Sequence, residues 1–240
     1  MKETFRYATL ALLLLGLSAC AVLDISTLDS AVPLKAGQSR LSAHQTVGVD
    51  ISSMTYVNYY LEDNSDFYAT PVPVTGVKYS YGHNGKTDIG GSVWLSAFNF
   101  GGRIYLKHLL LKEGKTYIAL VPGMTYVQIQ EEYEDTFDRR HEAIGSEIQL
   151  LYTYQTGKSI SFTTALRANY NRYTETVLKD VGMDEVYGPY DVVNVGVRGN
   201  MKLNMGPLVL IPEIGVECVP VVNGKLTFLP VTGFALGLEF

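Results

Sequence analysis

Apolar and polar residues alternate along most of the chain after residue 38, in runs of about ten to fifteen residues separated by turn signals. In the last run, at residues 226–240, Phe234, Leu236 and Leu238 fall on one face, opposite Gly233 and Glu239. Because successive side chains of a strand point to opposite faces, each run predicts a strand with one apolar face. The chain is therefore expected to be all-β.

Ten strands are predicted in this way. The third and fifth runs are less regular than the others, so eight or twelve strands are alternatives, and Pro122 and Gly123 predict a bulge or kink in the fifth. The predicted strands cover residues 39–52, 72–81, 87–100, 104–111, 117–130, 145–155, 160–173, 192–203, 208–221 and 226–240.

The links between these runs fall into two classes. The links after the first, fifth and seventh strands are long, at residues 53–71, 131–144 and 174–191. Those after the even-numbered strands are short, as are 101–103 and 222–224. All long links therefore fall on one side of the predicted sheet, which is typical of a barrel with tight periplasmic turns and longer external loops.

The strand pattern and the C-terminal residues resemble those of bacterial outer-membrane β-barrel proteins, and no particular subfamily is indicated. The resemblance covers residues 39–240 and implies an antiparallel up-and-down transmembrane barrel whose last strand pairs with residues 39–52. It also implies contact with outer-membrane lipid and lipopolysaccharide, and recognition by the barrel-assembly machinery. The residues that carry the assembly signal in this resemblance are Phe234, Leu236, Leu238 and Phe240.

The first residues have the pattern of an export signal. Lys2 and Arg6 precede an apolar run at residues 8–17, which is too short to span a bilayer as a helix. The following residues, 17–20, resemble a bacterial lipobox, which predicts a signal peptide at residues 1–19 and lipidation of Cys20. Ala19 and Ala21 also fit ordinary signal cleavage around Cys20. Residues 20–38 show no sustained period, so we expect a lipidated tether that holds the protein at the outer membrane.

Composition excludes several classes of function. The net charge is -5 without a basic stripe, so nucleic acid is not an expected partner. Three Gly-Lys-Thr or Gly-Lys-Ser triplets, at residues 85–87, 114–116 and 157–159, lack the earlier glycine of a phosphate-binding loop and predict hairpin turns instead. We therefore expect no cofactor.

Charges of both signs occupy the polar face of the predicted strands. If that face lines the lumen, two interpretations remain open: a filled interior in which the charges pair, or a narrow polar channel. A ten-stranded barrel has little free width, which favours the filled interior. The expected lumen charges are Arg40, Asp50, Lys78, Lys107, Glu147, Arg167, Arg198, Lys202, Glu213 and Glu217.

The sequence therefore favours an envelope structural protein or a narrow, porin-like passive channel. An outer-membrane enzyme, such as an omptin-like protease or a lipid-modifying barrel, is an alternative, but no motif joins His44, His83, His108 or His141 to a nucleophile. A partner-binding β-sandwich lipoprotein is the third hypothesis. The acidic residues 62–66 and 131–138 predict solvated loops, because their spacing does not match a calcium loop, and no metal site is expected.

Overall fold

The fold is a closed antiparallel β-barrel of ten strands. The computed structural model describes residues 22–24, 26–50, 71–96, 99–133, 137–179, 185–220 and 226–240. A short strand, β1 (Val22–Leu23), precedes the barrel. The barrel strands are β2 (Ser39–Asp50), β3 (Pro71–Gly82), β4 (Thr87–Ser96), β5 (Asn99–Glu113), β6 (Thr116–Tyr133), β7 (Phe137–Gln155), β8 (Ile160–Lys179), β9 (Glu185–Met205), β10 (Leu208–Pro220) and β11 (Leu226–Glu239).

Each barrel strand pairs with its neighbour in the chain, and β11 pairs with β2 to close the barrel. In this closing pair Glu239 lies opposite Arg40 and Gly233 lies opposite Thr46. The predicted all-β barrel and its closing pair are thus confirmed, and the β-sandwich alternative is wrong. One rim, which we call the turn end, carries the tight links at residues 83–86, 114–115, 156–159 and 206–207; we call the opposite rim the loop end.

Strand boundaries differ from the prediction in the middle of the chain. Residues 101–103, which were predicted to form a link, lie inside β5. Gly101 and Gly102 pair there with β4. Beside Pro122 the β5–β6 pairing is interrupted, passing from Tyr105–Gly123 to His108–Leu120, and a register shift follows between Leu109 and Leu111; β6 and β7 pair without interruption. Strands β6 to β9 also extend into the predicted long loops, so residues 137–144 belong to β7. Residues 62–66 lie outside the described residues.

The outer surface of the barrel is apolar over a band between its two rims. Along β7 the outward side chains from Ile144 to Tyr154 are apolar except for Ser146, and charged residues such as Glu142 and Arg172 begin beyond this band at the loop end. Aromatic side chains lie near both borders, with Tyr81 and Tyr154 at the turn end and Phe100 and Tyr170 at the loop end. An apolar band about 25 Å tall between aromatic girdles is the surface of a transmembrane barrel. The chain therefore has the fold of a bacterial outer-membrane β-barrel.

Residues 20–38 were predicted to form a tether, but residues 24 and 26–34 lie inside the lumen. Val22 pairs with Asp50 at the loop end. The chain then descends through the barrel and reaches the turn end at Gly37, whose N–H donates to the Gly82 carbonyl. We call residues 24 and 26–34 the inner segment. The segment follows this path because its polar groups form hydrogen bonds and ion pairs with the wall of the barrel. No helix among the described residues is long and apolar enough to span a membrane.

Candidate functional site in the barrel lumen

Nine of the ten expected lumen charges lie buried on the inner face of the barrel. They alternate with the outward apolar side chains, as the pleat of each strand requires. The tenth, Asp50, is described only by its backbone, which pairs with Val22. The nine side chains are Arg40, Lys78, Lys107, Glu147, Arg167, Arg198, Lys202, Glu213 and Glu217.

Asp29 of the inner segment is the centre of the ion pairs in the half of the lumen nearer the turn end. Its carboxylate lies 3.4 Å from the guanidinium of Arg40, 3.1 Å from the ammonium of Lys78 and 3.1 Å from that of Lys107. Asp29 belongs to the inner segment and not to a strand of the wall. Three positive charges of the wall therefore surround a single buried carboxylate.

Glu213 on β10 holds the bend of the inner segment. Its two carboxylate oxygens accept the backbone N–H of Thr27, at 2.9 Å, and that of Leu28, at 2.7 Å. Leu28 has a φ of 40°, in the left-handed region that leucine rarely adopts. Two N–H groups converge on one carboxylate because the backbone turns sharply at this position. Glu213 is therefore a side-chain partner for backbone groups that have no strand to pair with.

A network of ion pairs crosses the lumen above Asp29, toward the loop end. Glu147 lies 3.3 Å from Arg103 and 3.0 Å from Arg167, and Glu217 pairs with Arg198 and with Arg167. The inner segment joins this network through the carbonyl of Ser26, which accepts from Arg103 at 3.2 Å. Each of these charged wall side chains is buried, and pairing is what makes such burial tolerable.

Small and apolar side chains complete the fit of the inner segment. Leu28 packs in a patch formed by Val209, Ile211 and Ala235. Ala31 lies in a second patch that includes Tyr105 and Leu151, and its N–H donates to Thr153 Oγ1 at 2.8 Å. Nearer the turn end, the N–H of Leu34 donates to Asp88 at 3.0 Å. The segment is thus matched to the wall by shape as well as by charge.

Among the described side chains, and with His44 and His141 counted as neutral, the charges inside the barrel balance when the inner segment is included. The described wall side chains comprise seven cations and five carboxylates, which is a net charge of +2. Asp24 and Asp29 add two negative charges and bring the total to zero. The cations are Arg40, Lys78, Arg103, Lys107, Arg167, Arg198 and Lys202, and the carboxylates are Asp88, Glu147, Glu213, Glu217 and Glu239.

The four histidines are not gathered into one site. His44 bonds to Asp24 at 3.1 Å inside the lumen, and His141 lies beside Tyr173 near the loop end. His108 faces outward and bonds to Thr87, whereas His83 is exposed in a turn. Within the described ranges, no three His, Cys, Asp or Glu side chains are grouped as metal ligands. The three Gly-Lys triplets lie in or beside tight turns.

Sequence reasoning missed the inner segment. Asp24 and Asp29 fall in the predicted tether because residues 22–38 show neither a strand nor a helix period. The charge count gave no signal either, because the six cations and five carboxylates on the polar faces of the predicted strands nearly balance. The lipidation predicted for Cys20 and the signal peptide predicted for residues 1–19 lie outside the described residues.

Comparisons with known proteins do not assign a function. No protein-family model matches the sequence, and no curated protein matches it significantly. The outer membrane protease OmpT from Escherichia coli has a similar structure, with 10% identity and a TM-score of 0.48, over 88% of this chain and 99% of that chain. Neisserial surface protein A gives 13% identity and a TM-score of 0.36 over 84% and 94%. The translocator domain of NalP from Neisseria meningitidis gives 11% and 0.39 over 91% and 90%. Similarities this weak carry no argument about activity.

Proposed function

We propose that this protein is an integral barrel of the bacterial outer membrane that is closed by its own inner segment and serves as a structural protein of the envelope. The observation that carries this proposal is the seating of Asp29 between Arg40, Lys78 and Lys107 inside the lumen, in the half nearer the turn end. A barrel with a chain segment fixed across its interior resists the passage of solutes. A permanently open passive channel is correspondingly disfavoured.

The membrane location follows from physical chemistry. The outward apolar band would be exposed to water in a soluble protein, and such a large apolar surface favours aggregation. Closure of the barrel satisfies the backbone hydrogen bonds of every neighbouring strand pair, which a lipid environment demands. The predicted assembly-signal side chains Phe234, Leu236 and Leu238 all project into this band.

Heat-modifiable gel migration together with planar-bilayer recording tests the proposal. We expect the purified full-length protein to migrate as a compact species before boiling, and to give no current above background after insertion. An unshifted band in a carbonate-extractable protein would refute the membrane barrel. A steady current in the unmodified protein would instead favour the passive channel.

Anchoring through Cys20 is a separate part of the proposal. The lipobox-like residues 17–20 support acylation, and metabolic labelling with palmitate measures it directly. Label should be lost from the Cys20→Ser variant. The control is Cys218→Ser, which should retain the label; Cys218 is a free cysteine in the structure. Equal labelling of the two variants would contradict the anchor without affecting the barrel.

A further inference from the structure

We propose that the inner segment is a displaceable plug, and that Arg40, Lys78 and Lys107 form a carboxylate-binding site. Asp29 occupies this site while the barrel is closed, and small carboxylate anions occupy it once the segment has left. The inference rests on the proposed function, because it requires a membrane barrel that the inner segment closes. It adds a class of ligand, small carboxylate anions, and a conducting state that prefers anions to cations.

The site is built by the wall and not by the plug. Arg40, Lys78 and Lys107 belong to β2, β3 and β5, so the strand register alone brings the three cations together. All three are buried, and all three point at one carboxylate. Lys107 is partly balanced by Asp88, at 2.8 Å, and Arg40 by Glu239, at 2.7 Å. Without Asp29, the remaining positive charge would attract another carboxylate of similar size.

The charge of the described wall side chains supports the same ligand class. The described wall side chains carry a net charge of +2, and the plug supplies the two compensating carboxylates, Asp24 and Asp29. Removal of the plug therefore leaves a positively charged passage. A narrow passage lined by excess positive charge selects anions over cations.

The contacts of the inner segment suit a reversible plug. Val22 and Leu23, just before the segment, pair with β2 at the loop end, whereas its described residues, 24 and 26–34, belong to no strand. From there to Leu34, the hydrogen bonds that hold the backbone to the wall run to side chains, such as those of Glu213, Thr153 and Asp88. Water replaces side-chain partners more readily than it replaces a complete strand ladder. The left-handed φ of Leu28 adds strain that is released when the segment leaves.

Departure of the plug would open a passage wide enough for small anions. An extended chain segment has a cross-section of roughly 5 Å by 10 Å, from the spacing between strands and between packed sheets. Acetate is the carboxylate portion of an aspartate side chain, so it fits the seat of Asp29. It is therefore the probe of choice for the site.

Planar-bilayer recordings on a variant that lacks residues 22–34 test the proposal. We expect a chloride-to-potassium permeability ratio above one, and a current that falls as acetate is added. In the same background, Lys78→Gln with Lys107→Gln removes the two excess charges, so the ratio should fall to one or below and the acetate block should be lost. Lys112→Gln with Lys115→Gln, at exposed positions beside a turn, is the matched control and should leave both properties unchanged.

The full-length Asp29→Lys variant repeats the test where the deletion fails to fold. A fourth cation beside Arg40, Lys78 and Lys107 repels the segment from its seat, so the same anion-selective current is expected from an intact chain. Heat-modifiable migration identifies the variants that are folded. If the unmodified protein does not insert as a barrel, the proposed function fails. If folded variants stay silent, or conduct without anion preference or acetate block, the plug and its carboxylate site are refuted while the barrel stands.

Discussion

The ammonium group of Lys107 on β5 lies 3.1 Å from the carboxylate of Asp29, a residue 78 positions earlier in the chain. The same ammonium lies 2.8 Å from Asp88 on β4. Lys107 therefore joins two neighbouring wall strands to the inner segment. Seating of the segment and stability of the wall are coupled through this one side chain.

Replacement of Lys107 should destabilise the barrel strongly. The Lys107→Met change leaves Asp29 and Asp88 short of a buried partner, and removal of one partner of a buried pair costs about 3 kcal/mol or more. The midpoint of urea unfolding, followed by loss of the compact gel species, measures the effect. Lys86→Met, at an exposed turn position, is the control and should change the midpoint little. Equal midpoints for the two variants would contradict a structural role for the Lys107 pair.

Glu213 should determine how firmly the inner segment is held. In Glu213→Ala, the backbone N–H groups of Thr27 and Leu28 lose their acceptor, so the segment opens more often. Hydrogen exchange of peptides that cover residues 26–31 should become faster, while exchange in β7 and β8 stays slow. Glu142→Ala, which removes an outward carboxylate paired with Arg140, is the matched control. Unchanged exchange in Glu213→Ala would show that other contacts suffice.

Gly101 should be intolerant of a side chain, in contrast to its neighbour Gly102. A Cβ atom at Gly101 would overlap the ring of Trp94, which lies across from it in the β4–β5 pair. At Gly102, the nearest atom to such a Cβ is the Ser92 carbonyl oxygen, at 3.7 Å. Overpacking costs about 1–3 kcal/mol, so Gly101→Val should lower stability by that amount.

Trp94 also supplies the measurement, because it is the only tryptophan of the chain and is 1% exposed. Gly101→Val should shift its emission to longer wavelength by moving the ring toward water, whereas Gly102→Val should not. The same spectrum in both variants would argue against the contact between Trp94 and Gly101.

The N-terminal side of Val22 should be displayed at the loop end. Because Val22 pairs with Asp50 there, an epitope inserted immediately before Val22 leaves the barrel at that rim. If the longer loops face the exterior, as in outer-membrane barrels generally, antibody should bind this epitope on intact cells. An epitope inserted in the turn at residues 114–115 should be reached only after the cells are permeabilised. The reverse result would exclude this threading of the inner segment.

Much of the fold follows from local pattern. Alternation in residues 145–155 and 160–173 identifies strands and their faces without knowledge of the neighbours, because the pleat fixes which side chains share a face. The even number of strands and the short turns also predict that the last strand pairs with residues 39–52 and closes the barrel. Residues 101–103 were predicted to form a link because glycine is common in turns. In the structure, Gly101 instead makes room for the ring of Trp94.

The sequence by itself determined that apolar side chains face one side of each strand and that Arg40, Lys78 and Lys107 face the other. Only the tertiary structure decided what those cations meet. Residues 24–34 have no period of their own, so their conformation depends on a wall assembled from residues far away in the chain. Asp29 finds its place because β2, β3 and β5, which follow one another around one part of the wall with only β4 between them, bring three positive charges to one point. A long-range electrostatic fit of this kind leaves no local pattern in the sequence.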